Sequence, residues 1–282
     1  MSRIWFMPLA ALALFACGPK KEAGPESFTP EKVSGAAGGA RDKVGRIYHY
    51  VRTNVDGSNP EDVYVFRKKL DHIQVYKARQ KCLNAAFVTA DLDIKNGYAT
   101  KIVGGRLTKQ GLQEKFAFLD YDAPKKTINA RIELEGREPL RASVAVDKEP
   151  WHLYDFDFAS LTVMTPHLQS PKDGFSFGLP LVIADPDRPD FLHYLGEAEA
   201  VFRQEEERAG RKALKYSLGG SAFGSFGGNL WLDAAEGHIL DVETGFPNHL
   251  EYADFKLELR GVDDGGDPAW AKLLREHYEG CS

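Results

Sequence analysis

No block of basic residues occurs anywhere in this chain, in which 36 Lys and Arg stand against 41 Asp and Glu for a net charge of −5. The clustered positive footprint that phosphate recognition needs is missing, so nucleic acid is not an expected partner. Long hydrophobic runs are missing too: the N-terminal apolar stretch from Ile4 to Phe15 is broken at Pro8 and falls short of the ~20 residues that span a bilayer as a helix. A permanent transmembrane anchor is therefore not expected. The three cysteines do not make a Cys-rich zinc site, and no repeat of fixed period is present. No strand pattern alternates with a long helical one, which argues against a parallel βαβ architecture. What remains is ordinary globular material, 43% hydrophobic and 27% charged, so that full-length disorder, collagen and coiled coil are excluded. A single body of this length buries roughly 70–75% of its unfolded surface. Aromatics at 11%, with 27 Gly and 15 Pro, point to strands and turns.

The first sixteen residues read as an address. Arg3 precedes the apolar run, and small Ala16 stands before Cys17, the layout of a signal peptide. The tetrad Leu14-Phe15-Ala16-Cys17 resembles the lipobox of bacterial lipoproteins, although Phe15 stands where that family prefers a small residue. The resemblance implies lipidation of Cys17 and cleavage before it, the alternative being an ordinary secretory signal that happens to contain a cysteine. Two acyl chains at ~0.8 kcal/mol per buried CH₂ hold a protein at a membrane where one chain does not. Gly18, in place of the Asp that retains Gram-negative lipoproteins at the inner membrane, implies by the same resemblance an outer-membrane location facing the periplasm. Residues 17–40 carry Gly, Pro, Ser and charge with Phe28 as their one aromatic, the composition of a lipidated flexible tether spanning about 25–30 Å. The expected division is thus a leader at 1–16, a tether at 17–40 and an antiparallel β domain at 41–282, with a sub-boundary near 165–172.

From Val44 onward a period of two dominates, the signature of strands with one buried face. Ile128, Ala130, Ile132 and Leu134 alternate with Thr127, Asn129, Arg131 and Glu133, and Phe255, Leu257 and Leu259 alternate with Lys256, Glu258 and Arg260. Val63 to Phe66 is apolar on both faces. Asp56-Gly57, Asn96-Gly97 and Glu135-Gly136 mark hairpin turns. The pattern predicts a meander of about eight strands, then a smaller antiparallel set from Phe191 to Arg260. Trp151, Tyr154, Phe158 and Leu161 recur at helical spacing after Pro150 and favour a helix, although Asp155 and Asp157 alternating with Phe156 and Phe158 also suit a strand. A C-terminal helix is predicted with Asp267 as N-cap, Pro268 in its first turn, and Trp270, Leu273, Leu274 and His277 on the face that docks on the sheet. The fold class is mainly β: a curved antiparallel sheet or incomplete barrel with one internal and one C-terminal helix.

Chemistry is sparse. Gly174-Phe175-Ser176-Phe177-Gly178 matches the G-x-S-x-G nucleophile elbow, with Asp187 and His193 following in hydrolase order. Yet Leu179 to Ala184 continues as an extended apolar run where the elbow needs a helix, so a serine in a turn or strand is expected, and no catalytic residue is assigned. His152, Asp155 and Asp157, and more loosely His249, Glu251 and Asp254, are the clusters that come nearest to a metal set, but neither has a recognised ligand spacing. No metal and no cofactor is expected. Gly219 to Gly228 lacks the Lys and following helix of a phosphate loop and reads as a bulged hairpin loop, and Asn248-His249 after Pro247 reads as a turn.

Around Gly228-Asn229-Leu230-Trp231-Leu232-Asp233, followed by a turn and a strand, the chain resembles uncharacterised envelope proteins similar in layout to the LolA/LolB lipoprotein carriers. The resemblance covers Gly196 to Leu259 and implies a curved sheet that wraps helices and leaves an apolar space for acyl chains; it transfers no ligand residue. Two functions are carried forward, a non-enzymatic carrier of an apolar ligand and an envelope scaffold that contacts another protein, with a secreted serine hydrolase third. With Cys17 lipidated in an oxidising compartment, Cys82 and Cys281 are left to form a disulfide or to remain free thiols. The excess of aromatics in the segment that interrupts the meander makes Trp151, Tyr154, Phe158, Phe175 and Phe177 the candidate cavity lining, with a solid core as the alternative.

Overall fold

Among the residues described by the computed structural model, 41–133, 135–183 and 190–281, the alternating segments become fourteen strands of one curved antiparallel sheet. The leader, the tether with Cys17, Leu134 and Asp187 lie outside the described residues. The first meander comprises β1 (Ile47–Thr53), β2 (Glu61–Lys69), β3 (His72–Ala78), β4 (Ala86–Asp93), β5 (Tyr98–Leu107), β6 (Gln113–Asp122), β7 (Thr127–Ile132) and β8 (Leu140–Ala145). The second comprises β9 (Phe175–Val182), β10 (Leu192–Arg208), β11 (Arg211–Gly219), β12 (Gly228–Asp233), β13 (Ile239–Thr244) and β14 (Phe255–Asp263). β1 pairs with both β2 and β14, so the meanders share one seam and the spatial order runs from β8 through β1 and β14 to β9. The anticipated turns fall between strands, with φ of +84° at Gly57 and +77° at Gly97, values that glycine adopts without steric cost.

The sheet does not close. Between its edge strands β8 and β9 runs a strap, residues 146–152, in which the Gly178 N–H donates to Pro150 O at 2.7 Å and the His152 N–H donates to Gly178 O at 2.9 Å. A Cβ at Gly178 would lie 2.4 Å from Lys148 O, so glycine is what admits the strap. Pro180 sits in the same edge strand, where a missing N–H removes no ladder bond.

The early strands bury both faces, which accounts for the doubly apolar Val63 to Phe66. Tyr50, Val63, Val65, Ile73 and Val75 belong to the inner core. Ile47, Phe66, Tyr76 and Phe87 form an outer layer with Trp270 and Leu274 of α2 (Gly266–Glu276). Asp267 lies inside the first turn of α2 rather than capping it, and there it pairs with Lys68. Within the curve lies α1 (Ala159–Met164), buried along its whole length, with Thr162 Oγ1 3.0 Å from Tyr50 Oη. The expected single helix over Trp151 to Leu161 is instead a 3-10 turn at Tyr154–Phe156, two left-handed residues, and then α1. Asp157 and Phe158, at φ +51° and +55°, interrupt the helical ladder. Phe158 is held in that conformation by the rings of Tyr154, Phe255 and Phe177, at 5.1, 5.8 and 6.1 Å.

Candidate functional site

Side-chain size divides the interior into a filled half and a hollow half. Against the second meander, Tyr154 packs among Phe158, Phe223, Phe246 and Phe255 at centroid distances of 5.1 to 6.3 Å, and its hydroxyl lies 2.6 Å from both Thr244 Oγ1 and Phe246 O. Across β4 to β7 the inward positions are smaller. Ala117 stands opposite Gly104 on one side and Ile132 on the other, while Leu119 stands between Ile102 and Ala130. The missing volume is a cleft of about 410 Å³, within the range of small-molecule sites, floored by these residues with Ala86 and Val88. Leu153 and Phe156, Val182 and Ile183, and Phe191 cover it. Four of its lining residues are phenylalanines, Phe116, Phe118, Phe156 and Phe191.

One end of the cleft is charged. Asp157 is fully buried; its carboxylate accepts from Arg52 Nη1 at 3.0 Å and Asn248 Nδ2 at 2.7 Å and forms an ion pair with Lys77 Nζ at 2.5 Å. Burial pushes this carboxyl up, but Arg52 and Lys77 outweigh burial and hold it well below the usual carboxylate range. Arg52 also pairs with Glu61 and stacks over the ring of Tyr252 at 4.6 Å. Lys77 Nζ donates to the backbone carbonyl of Asp155 at 2.7 Å. The side chains of Arg52 and Lys77 retain 3% and 7% of their exposure, so both cations depend on these partners rather than on water. Burial depresses His249 well below its ordinary value, with Arg52 adding to the effect, and keeps the ring neutral 3.9 Å from Asp157. Asp155 differs from its neighbours. One of its oxygens accepts from the Val182 N–H at 3.0 Å, and among the described residues no cationic side chain forms an ion pair with it. Burial raises its carboxyl to about 6, with the Val182 N–H and Lys77 opposing.

The aromatic residues that the sequence offered as a cavity lining, or alternatively as a solid core, pack in the core. Trp151, Tyr154, Phe158, Phe175 and Phe177 are all fully buried in the core, and none of them lines the cleft. The strap-to-α1 segment does cover the space, but through Leu153, Asp155 and Phe156; Tyr154 and Phe158 pack on Phe255 of the second meander, and Trp151 packs on Tyr121 of β6. The two polar clusters are split and recombined: Asp155, Asp157, His249 and Glu251 meet at the charged end, while His152 turns to Ser160 at 3.0 Å and Asp254 accepts from the Val55 N–H at 2.7 Å. Sequence reasoning missed Arg52, Glu61 and Lys77, and also the small residues on β4 to β7. Ala and Gly at inward positions of adjacent strands were the legible signal for the latter.

Ser176 lies fully buried inside β9, opposite Glu199, whereas His193 pairs with Leu181, five residues or about 17 Å further along the strand. Both glycines of the elbow-like motif have backbone roles: Gly178 admits the strap, and Gly174 has φ +81° with a would-be Cβ 2.6 Å from Ala200 O. Asp233, Glu236 and His238 also lie close together. There the Asp233 carboxylate is occupied by the Ala235 and Glu236 N–H groups and by Arg211, and Glu236 is paired with Arg46, which leaves little charge for a cation. Cys82 and Cys281 are bonded, their Cα atoms 5.5 Å apart. No protein-family model and no curated protein matches the chain.

Proposed function

We propose that this protein is an envelope lipoprotein, held at the outer membrane through acylated Cys17, whose folded body binds an acyl-chain ligand in the cleft between β4–β7 and the Leu153–Phe156 cover. The observation that carries this reading is the cleft itself: about 410 Å³, lined mainly by alanine, glycine, branched aliphatics and four phenylalanines, with charged residues gathered at one end and Arg131 elsewhere in the wall. Each methylene that leaves water for such a wall contributes about 0.8 kcal/mol, so a chain of moderate length offsets the cost of association without a strong polar contact. The tether at 17–40 would let the cleft stand away from the membrane surface.

Saturable binding of an uncharged fluorescent long-chain alkyl probe by the body purified without its leader is the expected result. Ala117→Phe, which fills the cleft from its floor, should weaken that binding about tenfold or more while the circular dichroism of the sheet persists. No binding by the unsubstituted protein, or unchanged binding by Ala117→Phe, would overturn the reading.

A further inference from the structure

Resting on that reading of the cleft, we infer that Asp155 selects its occupant by head group, favouring an amphiphile with an ammonium head over one with a carboxylate head. The ligand class follows from which charges at the polar end are already committed. Arg52 is taken by Asp157 and Glu61, and Lys77 by Asp157 and the Asp155 carbonyl. Arg79 is taken by Glu251 at 2.7 Å. His249 is neutral. Among the described residues, the groups that face this end from every neighbouring element are thus three cations, Arg52 on β1, Lys77 on β3 and Arg79 just after it, against Asp157, Glu61 on β2, Glu251 and Asp155. One acid is left over. Asp155 is that acid: it lines the cleft, one of its oxygens accepts a single backbone N–H, and among the described residues no cation is paired to it. At the opposite side Arg131 also lines the cleft, but it is stacked on Phe118 at 4.6 Å and paired with Glu133 at 3.2 Å. A carboxylate head would meet an uncompensated like charge at Asp155, whereas an ammonium head would complete its hydrogen bonding as a charge-assisted pair.

The test is competition against the fluorescent probe by dodecylamine, dodecanol and dodecanoate, each below its aggregation threshold, so that chain length is constant and only the head changes. Dodecylamine should bind about ten- to hundredfold more tightly than dodecanoate, the range of a charge-assisted hydrogen bond. Asp155→Asn should bring the two within a few-fold of each other. Because burial places the Asp155 carboxyl near 6, the unsubstituted protein should also gain affinity for dodecylamine as pH rises through that value, while its affinity for dodecanol stays level, a readout that does not depend on the variant folding. Equal affinities for amine and carboxylate, a preference for dodecanoate, or selectivity that survives in Asp155→Asn would overturn the inference and leave the acyl-chain reading standing. Failure of all three, dodecanol included, would overturn both.

Discussion

Asp157 occupies the left-handed region at φ +51° and is ringed by two buried cations, so its side chain and its backbone are both specified. Asp and Asn tolerate that conformation better than other residues apart from glycine, which makes Asp157→Asn a substitution that removes charge while keeping the backbone. It would leave Arg52 and Lys77 buried with one carboxylate, Glu61, between them, and the expected loss is about 3–5 kcal/mol. Urea unfolding with an unchanged m-value measures it; a loss under ~0.5 kcal/mol would show that water reaches the cations. Two residues away the sign reverses. The folded carboxyl of Asp155 is raised to about 6 from an unfolded value near 3.9, so the folded state binds more protons across that interval and the contribution of Asp155, complete below it, is lost as pH rises to 6. Asp155→Asn should abolish a fall in stability of about 1–2 kcal/mol between pH 4 and 6, the lower figure applying because the carboxyl faces the cleft. Parallel pH profiles for the two proteins would refute this. Asp157 contributes in the opposite sense, its stabilisation being present above the ordinary carboxylate range and lost as pH falls below it.

At the scale of elements, α2 is held in two ways. Trp270 and Leu274 sit against Phe66 and Phe87, the Trp270 ring 5.1 Å from Phe66, and the Cys82–Cys281 bond ties the chain end to the loop after β3. A loop of 199 residues closed by a disulfide restricts the unfolded chain by about 5 kcal/mol on the entropy model. Replacing both cysteines by serine should therefore lower stability by up to that amount while α2 stays docked, seen as a reduced unfolding midpoint with the near-ultraviolet tryptophan signal retained. Two maleimide adducts on the unreduced, denatured protein would show that the bond is absent. The docking face of α2 was legible because Trp270, Leu273, Leu274 and His277 share one stripe. The break between Tyr154 and α1 was not, since local spacing cannot report that Asp157 is drawn out of the helix by Arg52 and Lys77, which lie 105 and 80 residues earlier in the chain.

At the scale of the whole molecule, the first described residues are already tied to the body of the sheet. Asp42 is buried against Arg67, with contacts of 2.9 and 2.6 Å, and lies 2.9 Å from His167 Nε2, so the chain is pinned two residues past position 40. A lipid on Cys17 would then act through the tether without disturbing the sheet. Radiolabelled palmitate should enter the wild-type chain and not Cys17→Ser, which should appear as soluble periplasmic protein; label in the mutant would remove the anchor from the proposal.

The sequence by itself determined the antiparallel sheet, the hairpins at Gly57 and Gly97 and the docking of α2, because each rests on local periodicity or on one residue's backbone freedom. It also placed Trp151, Tyr154 and Phe158 inside, since rings of that size are buried wherever the chain allows. Only the tertiary structure decided which strands they meet, Tyr121 of β6 for Trp151 and Phe255 of β14 for Tyr154 and Phe158. The cleft is a difference in volume between Gly104, Ala117 and Ala130 on neighbouring strands and the aromatic cluster opposite, and such a difference exists only once register sets those residues side by side. The charged end is likewise non-local: Arg52, Lys77, Asp157 and Asn248 come from four distant stretches, and what joins them is that a buried charge must find its counter-charge.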